Sequence, residues 1–240
     1  MTMKPRPEPP PLAPDDVHVW SLPLDPAPPR LDELRRALSP DEVERAERFR
    51  FARDRDRFVA ARGQLREVLA LYLAVAPRAV SFAYGPQGKP MLQQGGGPRF
   101  NLSHAEDEAI VAVAKGREVG IDIERIRPEV ECEDIAQRFF SPAEVAALLA
   151  LPATARPPVF FTCWTRKEAF IKALGGGLGI PLADFEVSLE PAGPARLLRT
   201  AWDPAVAGRW RLHTLAAPPG FAAALAVEGG EPRIRTLRLP

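Results

Sequence analysis

The sequence predicts an α+β protein of two pseudo-twofold-related lobes, each a small, mostly antiparallel sheet packed with helices. Three observations predict it. The S-P-x-E-V pattern occurs twice, in LSPDEVERA from Leu38 and in FSPAEVAAL from Phe140. Each copy follows a strand-like stretch, VHVWSL from Val17 and VGIDIE from Val119. Each precedes a longer helical pattern at the same offset, residues 57–73 and 159–174. A repeat of only two units suits a pseudo-twofold pair, since a solenoid needs more.

Residues 1–16 are proline-rich, lack the apolar core of a signal peptide and predict a flexible lead-in. An N-terminal lobe is expected over 17–116 and a C-terminal lobe over 117–240, with the ligand site in the cleft between them. Ser39 and Ser141 each suit an N-cap, the proline that follows suits the first helical position, and Glu42 and Glu144 close capping boxes. Further strands are expected at AVSFAY (79–84), RFNLS (99–103) and EAIVAVA (108–114). In the second half they are expected at DFEVSLE (184–190), RWRLHTL (209–215) and FAAALAV (221–227).

Composition excludes several classes. The 240 residues can bury a sizeable core, and a net charge of +1 gives no push toward nucleic acid or a membrane surface. No apolar run is long enough to span a bilayer. Cys132 and Cys163 have no metal-type spacing and predict free thiols in a reducing cytosol. Five of the 32 basic residues are lysine and the rest arginine, so Lys89, Lys167 and Lys172 are candidates for sites that need a compact ammonium.

Four stretches carry candidate chemistry. GKP at 88–90 holds a lysine in a stiff turn, either as solvated surface or beside a phosphate. FNLSHAED at 100–107 crowds Asn101, Ser103 and His104 at a strand end. No G-x-S-x-G elbow accompanies them, so a serine hydrolase is disfavoured, and strand capping or phosphate binding remains. VGIDIER at 119–125 alternates Ile121 and Ile123 with Asp122 and Glu124, so the carboxylates share a face. On an exposed strand such acids need no partner; on a buried one they need a cation, and oxygen ligands of this kind suit Mg²⁺. In FTCWTRKEAFIKALGGGLG at 161–179, Glu168 and Lys172 are four apart and share a helical face with Trp164. The glycines that follow read as a C-cap rather than a phosphate cradle.

In combination, GKP, FNLSH, GIDIE and W-x-x-KE-x-x-x-K resemble the 4′-phosphopantetheinyl transferases, of the large two-lobed type that activates surfactin synthetase. The resemblance runs from about Ser39 to about Glu190 and extends toward Val227. It implies transfer of the phosphopantetheine arm of coenzyme A to a serine of an apo acyl or peptidyl carrier protein, with release of adenosine 3′,5′-bisphosphate. Such carriers serve fatty acid, polyketide and peptide synthesis. The resemblance further implies Mg²⁺ on Asp122, Glu124 and Glu168, with Glu168 as general base and Lys172 on the diphosphate. Gly88, Lys89 and Pro90 would line the nucleotide. Ser103 and His104 would bind phosphate oxygens, and Arg45, with Arg57 as a second candidate, the 3′-phosphate. Glu42 departs from members that carry lysine there. A cytoplasmic monomer is expected. The alternatives are an Mg²⁺-dependent nuclease or phosphodiesterase, disfavoured by the neutral charge, and a non-catalytic module that binds coenzyme A or a carrier protein.

Overall fold

The structure is a computed structural model and describes residues 11–176 and 179–239. The chain starts with strand β1 (Asp16–Pro23), followed by helices α1 (Pro28–Ala37), α2 (Pro40–Glu47) and α3 (Ala52–Leu73). A short hairpin of β2 (Phe82–Tyr84) and β3 (Pro90–Leu92) leads to β4 (Arg99–Ala105) and β5 (Glu108–Ala114). The order then repeats. Strand β6 (Val119–Arg125) precedes helices α4 (Cys132–Phe139), α5 (Pro142–Leu149) and α6 (Arg156–Leu174). A hairpin of β7 (Phe185–Val187) and β8 (Leu197–Thr200), the short α7 (Ala205–Arg209), and strands β9 (Trp210–Thr214) and β10 (Phe221–Glu228) complete the copy. The chain closes with β11 (Arg233–Arg238).

The duplication extends to strand order. The first lobe pairs β1 with β5 and β5 with β4; the second pairs β6 with β10 and β10 with β9, all antiparallel. The two sheets face each other. Val17 and Val19 of β1, the even residues 110–114 of β5, and Val119, Ile121 and Ile123 of β6 form one buried apolar cluster with Leu225 and Val227. The opposite faces pack on helices: Trp20, Leu22 and Val111 with α1 and α3, and Ala224 and Ala226 with α6. The layers are therefore helices, sheet, sheet, helices, as apolar faces that cannot otherwise leave water require.

Both S-P helices are capped as expected. The Ser39 and Ser141 amides donate to Glu42 and Glu144 at 3.0 and 2.9 Å. Each glutamate does more than cap. Glu42 is buried and accepts from Arg66 Nε at 2.5 Å and from Arg62 Nε. Glu144 accepts from the Val187 amide at 2.8 Å and pairs with Lys167 Nζ at 2.7 Å, with both side chains buried. Lys167 also donates to the Leu182 and Phe185 carbonyls. That ammonium does need a compact head, but for structure.

Several expectations are corrected. The second lobe was expected to hold all of 117–240, yet β11 runs parallel to β1 in the first lobe's sheet. Its sequence, RIRTLR, half-exposed and strongly basic, carries no apolar face that would announce it. The lead-in was expected to reach residue 16. Residues 1–10 lie outside the described residues, but Asp16 already opens β1, accepting from the Ala13 amide and pairing with Arg233. The strand expected at 79–84 is confined to 82–84, after a 3₁₀ turn at Pro77–Ala79, and that at 184–190 to 185–187. Both cysteines are free and buried. Among the described residues no helix is long and apolar enough to cross a membrane.

Replacing Glu144 by alanine strands the Lys167 ammonium in the core. A destabilisation of about 3–5 kcal/mol, read from urea unfolding, is expected. A loss below about 1 kcal/mol would show that the pair is dispensable.

Candidate active site

Strand β6 alternates as its sequence requires. Ile121 and Ile123 turn to the inter-sheet core; Gly120, Asp122 and Glu124 turn to α6. Gly120 sets the distance. A Cβ there would lie 2.0 Å from the Ala169 carbonyl oxygen and 2.3 Å from the Ala173 amide nitrogen. No other residue type lets α6 sit this close to the strand. The helix carries Glu168 and Lys172 on the same face, so the close approach delivers both to Asp122.

Lys172 Nζ donates to Asp122 Oδ1 at 2.5 Å and to Ser103 Oγ at 2.9 Å, and the Ser103 hydroxyl donates to Asp122 Oδ1 at 2.8 Å. Strand β4 joins the second lobe here. The Ile121 amide donates to Asn101 Oδ1 at 2.8 Å and the Ile123 amide to Ser103 Oγ at 3.4 Å. Asp122 Oδ2 is buried and has no hydrogen-bond partner among the described residues.

The carboxylates are held against their charged forms. Burial pushes Asp122 up against the pull of Lys172. Burial first, and then the Asp122 charge, push Glu124 up to about 7 and raise Glu168. Among the described residues no three acidic, imidazole or thiol side chains converge as a ready metal cage. The donor set nonetheless fits a hard cation: a buried Asp122 oxygen with no partner among the described residues, beside two acids whose charged forms burial and the Asp122 charge disfavour. Mg²⁺ usually takes one or two protein carboxylates and completes its shell with phosphate and water.

Beside this cluster lies a cavity of about 570 Å³ walled by arginines. Arg45 lies over the Phe58 ring at 5.2 Å. Arg57 makes a forked pair with Asp25, both contacts 3.1 Å, and reaches Glu106 at 3.5 Å. His104, Gly88 and Pro90 also line it. Protein around His104 holds its imidazole below the usual value, and the Lys172 ammonium adds to the effect. A second cavity, about 280 Å³, joins the 87–90 turn to Glu168 and Lys172.

Most of the expected residues thus gather in one region, but in two groups. Asp122, Glu124, Glu168, Lys172 and Ser103 form the acidic cluster. Arg45, Arg57, His104, Gly88 and Pro90 line the arginine-walled cavity. Neighbours on a strand point apart, so Ser103 and His104 fall into different groups. Lys89 does not line the large cavity; its side chain runs toward the β6–α6 seam. Sequence reasoning missed Arg53, Arg62 and Tyr84, which also line the cavity. Arg53 was legible as the residue one helical turn before Arg57. The Glu42 departure has a physical reason: its carboxylate is spent on Arg62, Arg66 and the cap of α2.

This fold and site define an enzyme class. Residues 118–226 match the 4′-phosphopantetheinyl transferase superfamily and residues 24–116 match its N-terminal region, described as 4′-phosphopantetheinyl transferase, N-terminal. The chain is 42% identical over 221 residues to the 4′-phosphopantetheinyl transferase HetI of Nostoc sp., covering 91% of this chain and 90% of that protein. It is 37% identical to the 4′-phosphopantetheinyl transferase psf-1 of Bacillus pumilus, over 70% of this chain and 71% of that one. Among solved structures, holo-[acyl-carrier-protein] synthase of Thermotoga maritima is similar over 47% of this chain and 62% of its own, with 30% identity and a TM-score of 0.38. The chain belongs to the 4′-phosphopantetheinyl transferase superfamily and is an enzyme of that class. Membership sets aside the nuclease and the non-catalytic module.

Gly120→Ala is expected to force α6 off β6. The contact is with backbone, which yields less readily than a side chain, so a loss of at least about 1–3 kcal/mol follows, with loss of activity. Thermal unfolding indistinguishable from wild type would contradict the close approach. Glu124 gives a pH prediction. Its folded value lies above the ordinary 4.5, so the folded state binds the proton more tightly, and stability is lost as pH rises from 4.5 through about 7. In chelator-treated protein, Glu124→Gln should therefore raise the melting temperature more at about pH 8 than at about pH 5. Equal shifts at both pH values would refute the assignment.

Proposed function

We propose that this enzyme transfers 4′-phosphopantetheine from coenzyme A to a serine hydroxyl of an apo acyl or peptidyl carrier protein, releasing adenosine 3′,5′-bisphosphate. The observation that carries this reading is the Asp122–Ser103–Lys172 cluster, with an unpartnered Asp122 oxygen, at the edge of an arginine-walled cavity. One region offers a cation-seeking carboxylate group and the other an anion-seeking wall, as a nucleotide diphosphate donor requires.

In this reading the arginine wall takes the 3′-phosphate, through Arg45 and Arg57, with His104 as a further donor. The Gly88–Lys89–Pro90 turn lines the nucleotide through its backbone, while the Lys89 side chain runs to the β6–α6 seam. Asp122, Glu124 and Glu168 would hold Mg²⁺, which when bound supplies positive charge against the diphosphate. The carrier serine oxygen attacks the phosphorus that bears the pantetheine arm. The bond from that phosphorus to the bridging oxygen breaks, and its electron pair leaves on adenosine 3′,5′-bisphosphate. Glu168 accepts the serine proton, directly or through a water, and burial and the Asp122 charge raise its proton affinity. Lys172 meets the negative charge that grows on the leaving oxygen. Both lobes come from one chain, so the site needs no second subunit, and a monomer follows.

The test is intact-mass spectrometry of apo carrier proteins from fatty acid, polyketide and peptide synthesis, incubated with enzyme, coenzyme A and Mg²⁺. A phosphopantetheine mass gain with wild type, and at least about a hundredfold slower gain with Asp122→Ala, is expected. Full activity in the variant would sink the metal assignment. No gain on any carrier would sink the reading.

A further inference from the structure

Lys89 sits in the nucleotide-facing turn, yet its ammonium points elsewhere. The backbone of the turn is closed by the Gly85 amide donating to the Lys89 carbonyl at 2.9 Å, with Gly88 at a φ of 78°. From there the side chain, 15% exposed, crosses to the second lobe. Its Nζ donates to the Ala173 carbonyl at 3.1 Å and to the Val119 carbonyl at 3.3 Å, with Glu118 Oε2 3.6 Å away. Ala173 is in the last turn of α6, where carbonyls lack helical partners and the helix end favours a cation. Val119 opens β6. These two residues flank the place where Gly120 meets the backbone of Ala169 and Ala173. Lys172, next to Ala173 on α6, meets Asp122, two residues past Gly120 on β6.

We propose that Lys89 is a positioning residue whose ammonium pins the last turn of α6 to the start of β6, and so sets the register of Glu168 and Lys172 against Asp122. The inference rests on the proposed transfer reaction for its kinetic arm only. The Gly120 contact sets the distance between β6 and α6, and the Lys89 ammonium ties the carbonyls at the helix end to the strand, where a misplacement of about 1 Å at reacting groups costs about a hundredfold in rate. The pin also makes the nucleotide turn and the catalytic helix one mechanical unit, since the same residue belongs to both.

Two experiments separate this role from direct nucleotide contact. The first uses the wild-type enzyme: amine acylation followed by peptide mass spectrometry, with and without coenzyme A and Mg²⁺, the exposed Lys115 serving as the reactive control. Lys89 should react slowly in both states. Fast reaction in the free enzyme, with protection by coenzyme A, would overturn the proposal. The second compares Lys89→Met with wild type. The coenzyme A dissociation constant, from calorimetry, should stay unchanged, while kcat toward an apo carrier falls about tenfold or more. Amide exchange over residues 169–175 should quicken. A weakened affinity with kcat preserved would make Lys89 a nucleotide ligand, and unchanged kcat with faster exchange would leave it structural; either overturns the proposal. Should wild type modify no carrier, the transfer reading fails, while the acylation and exchange arms still decide the place of Lys89.

Discussion

The contact on which the site depends is the one between Gly120 and the backbone of α6. A glycine leaves no side chain between strand and helix, so the Ala169 carbonyl and Ala173 amide come against the strand itself. That approach has two consequences. It buries Asp122 almost completely, and it brings Lys172 within 2.5 Å of its carboxylate. Either consequence alone would be unfavourable. A buried carboxylate without a cation costs several kcal/mol, and an ammonium with no acid would be expelled to water.

The balance is deliberately incomplete. Ser103 and Lys172 both use Asp122 Oδ1, and Oδ2 has no partner among the described residues. Glu124 and Glu168 are pushed toward their neutral forms first by burial and then by the Asp122 charge, which one ammonium does not offset. A core optimised for stability would lose one of these acids. Keeping them stores an electrostatic demand for positive charge at one point, and a demand of that kind is what a cation-assisted phosphoryl transfer site consists of. Elsewhere the protein shows that it can satisfy buried acids fully: Glu42 has Arg62, Arg66 and a cap, and Glu144 has Lys167, a cap and the Val187 amide.

What the sequence disclosed follows from locality. The S-P-x-E-V caps, the alternation in VGIDIER and the four-residue spacing of Glu168 and Lys172 are all set within one or two turns of chain, so they could be read directly. The assignment of the two isoleucines to one face and the two acids to the other needed only the pleat of a strand. The missed features are non-local. Strand β11 pairs with β1 from the opposite end of the chain, and its basic, half-exposed sequence has no apolar periodicity to betray it. Helix α1 has alanine at its N-cap, no side-chain cap and no acidic first turn, so its N-terminal signals were weak. Ser103 and His104 are adjacent on a strand, so their side chains part, and which of the two groups each joins depends on the neighbouring elements rather than on local sequence. The direction of the Lys89 side chain depends on where α6 ends in space, which no local pattern states.

The duplicated scaffold makes the role of glycine plain by contrast. The repeat that aligns Ser39 with Ser141 and Val17 with Val119 places His18, Trp20 and Leu22 where the second lobe has Gly120, Asp122 and Glu124. In the first lobe those positions are filled: His18 is buried and its Nδ1 lies 2.7 Å from the Tyr72 hydroxyl, which also accepts from Trp20 Nε1 at 2.9 Å. An imidazole and an indole between strand and helix hold α3 off the backbone of β1 and leave no room for an ion pair of the Asp122–Lys172 kind. One architecture therefore serves two ends. With bulky side chains on the helix-facing side of its first strand, a lobe is a wall for the ligand. With glycine followed by alternate acids, the same strand draws its long helix in and, in the proposed reaction, becomes the reacting centre. In the proposed reaction the difference between support and catalysis lies in three alternate positions on one strand and in two on its long helix, where Glu168 and Lys172 stand in place of Arg66 and Ala70.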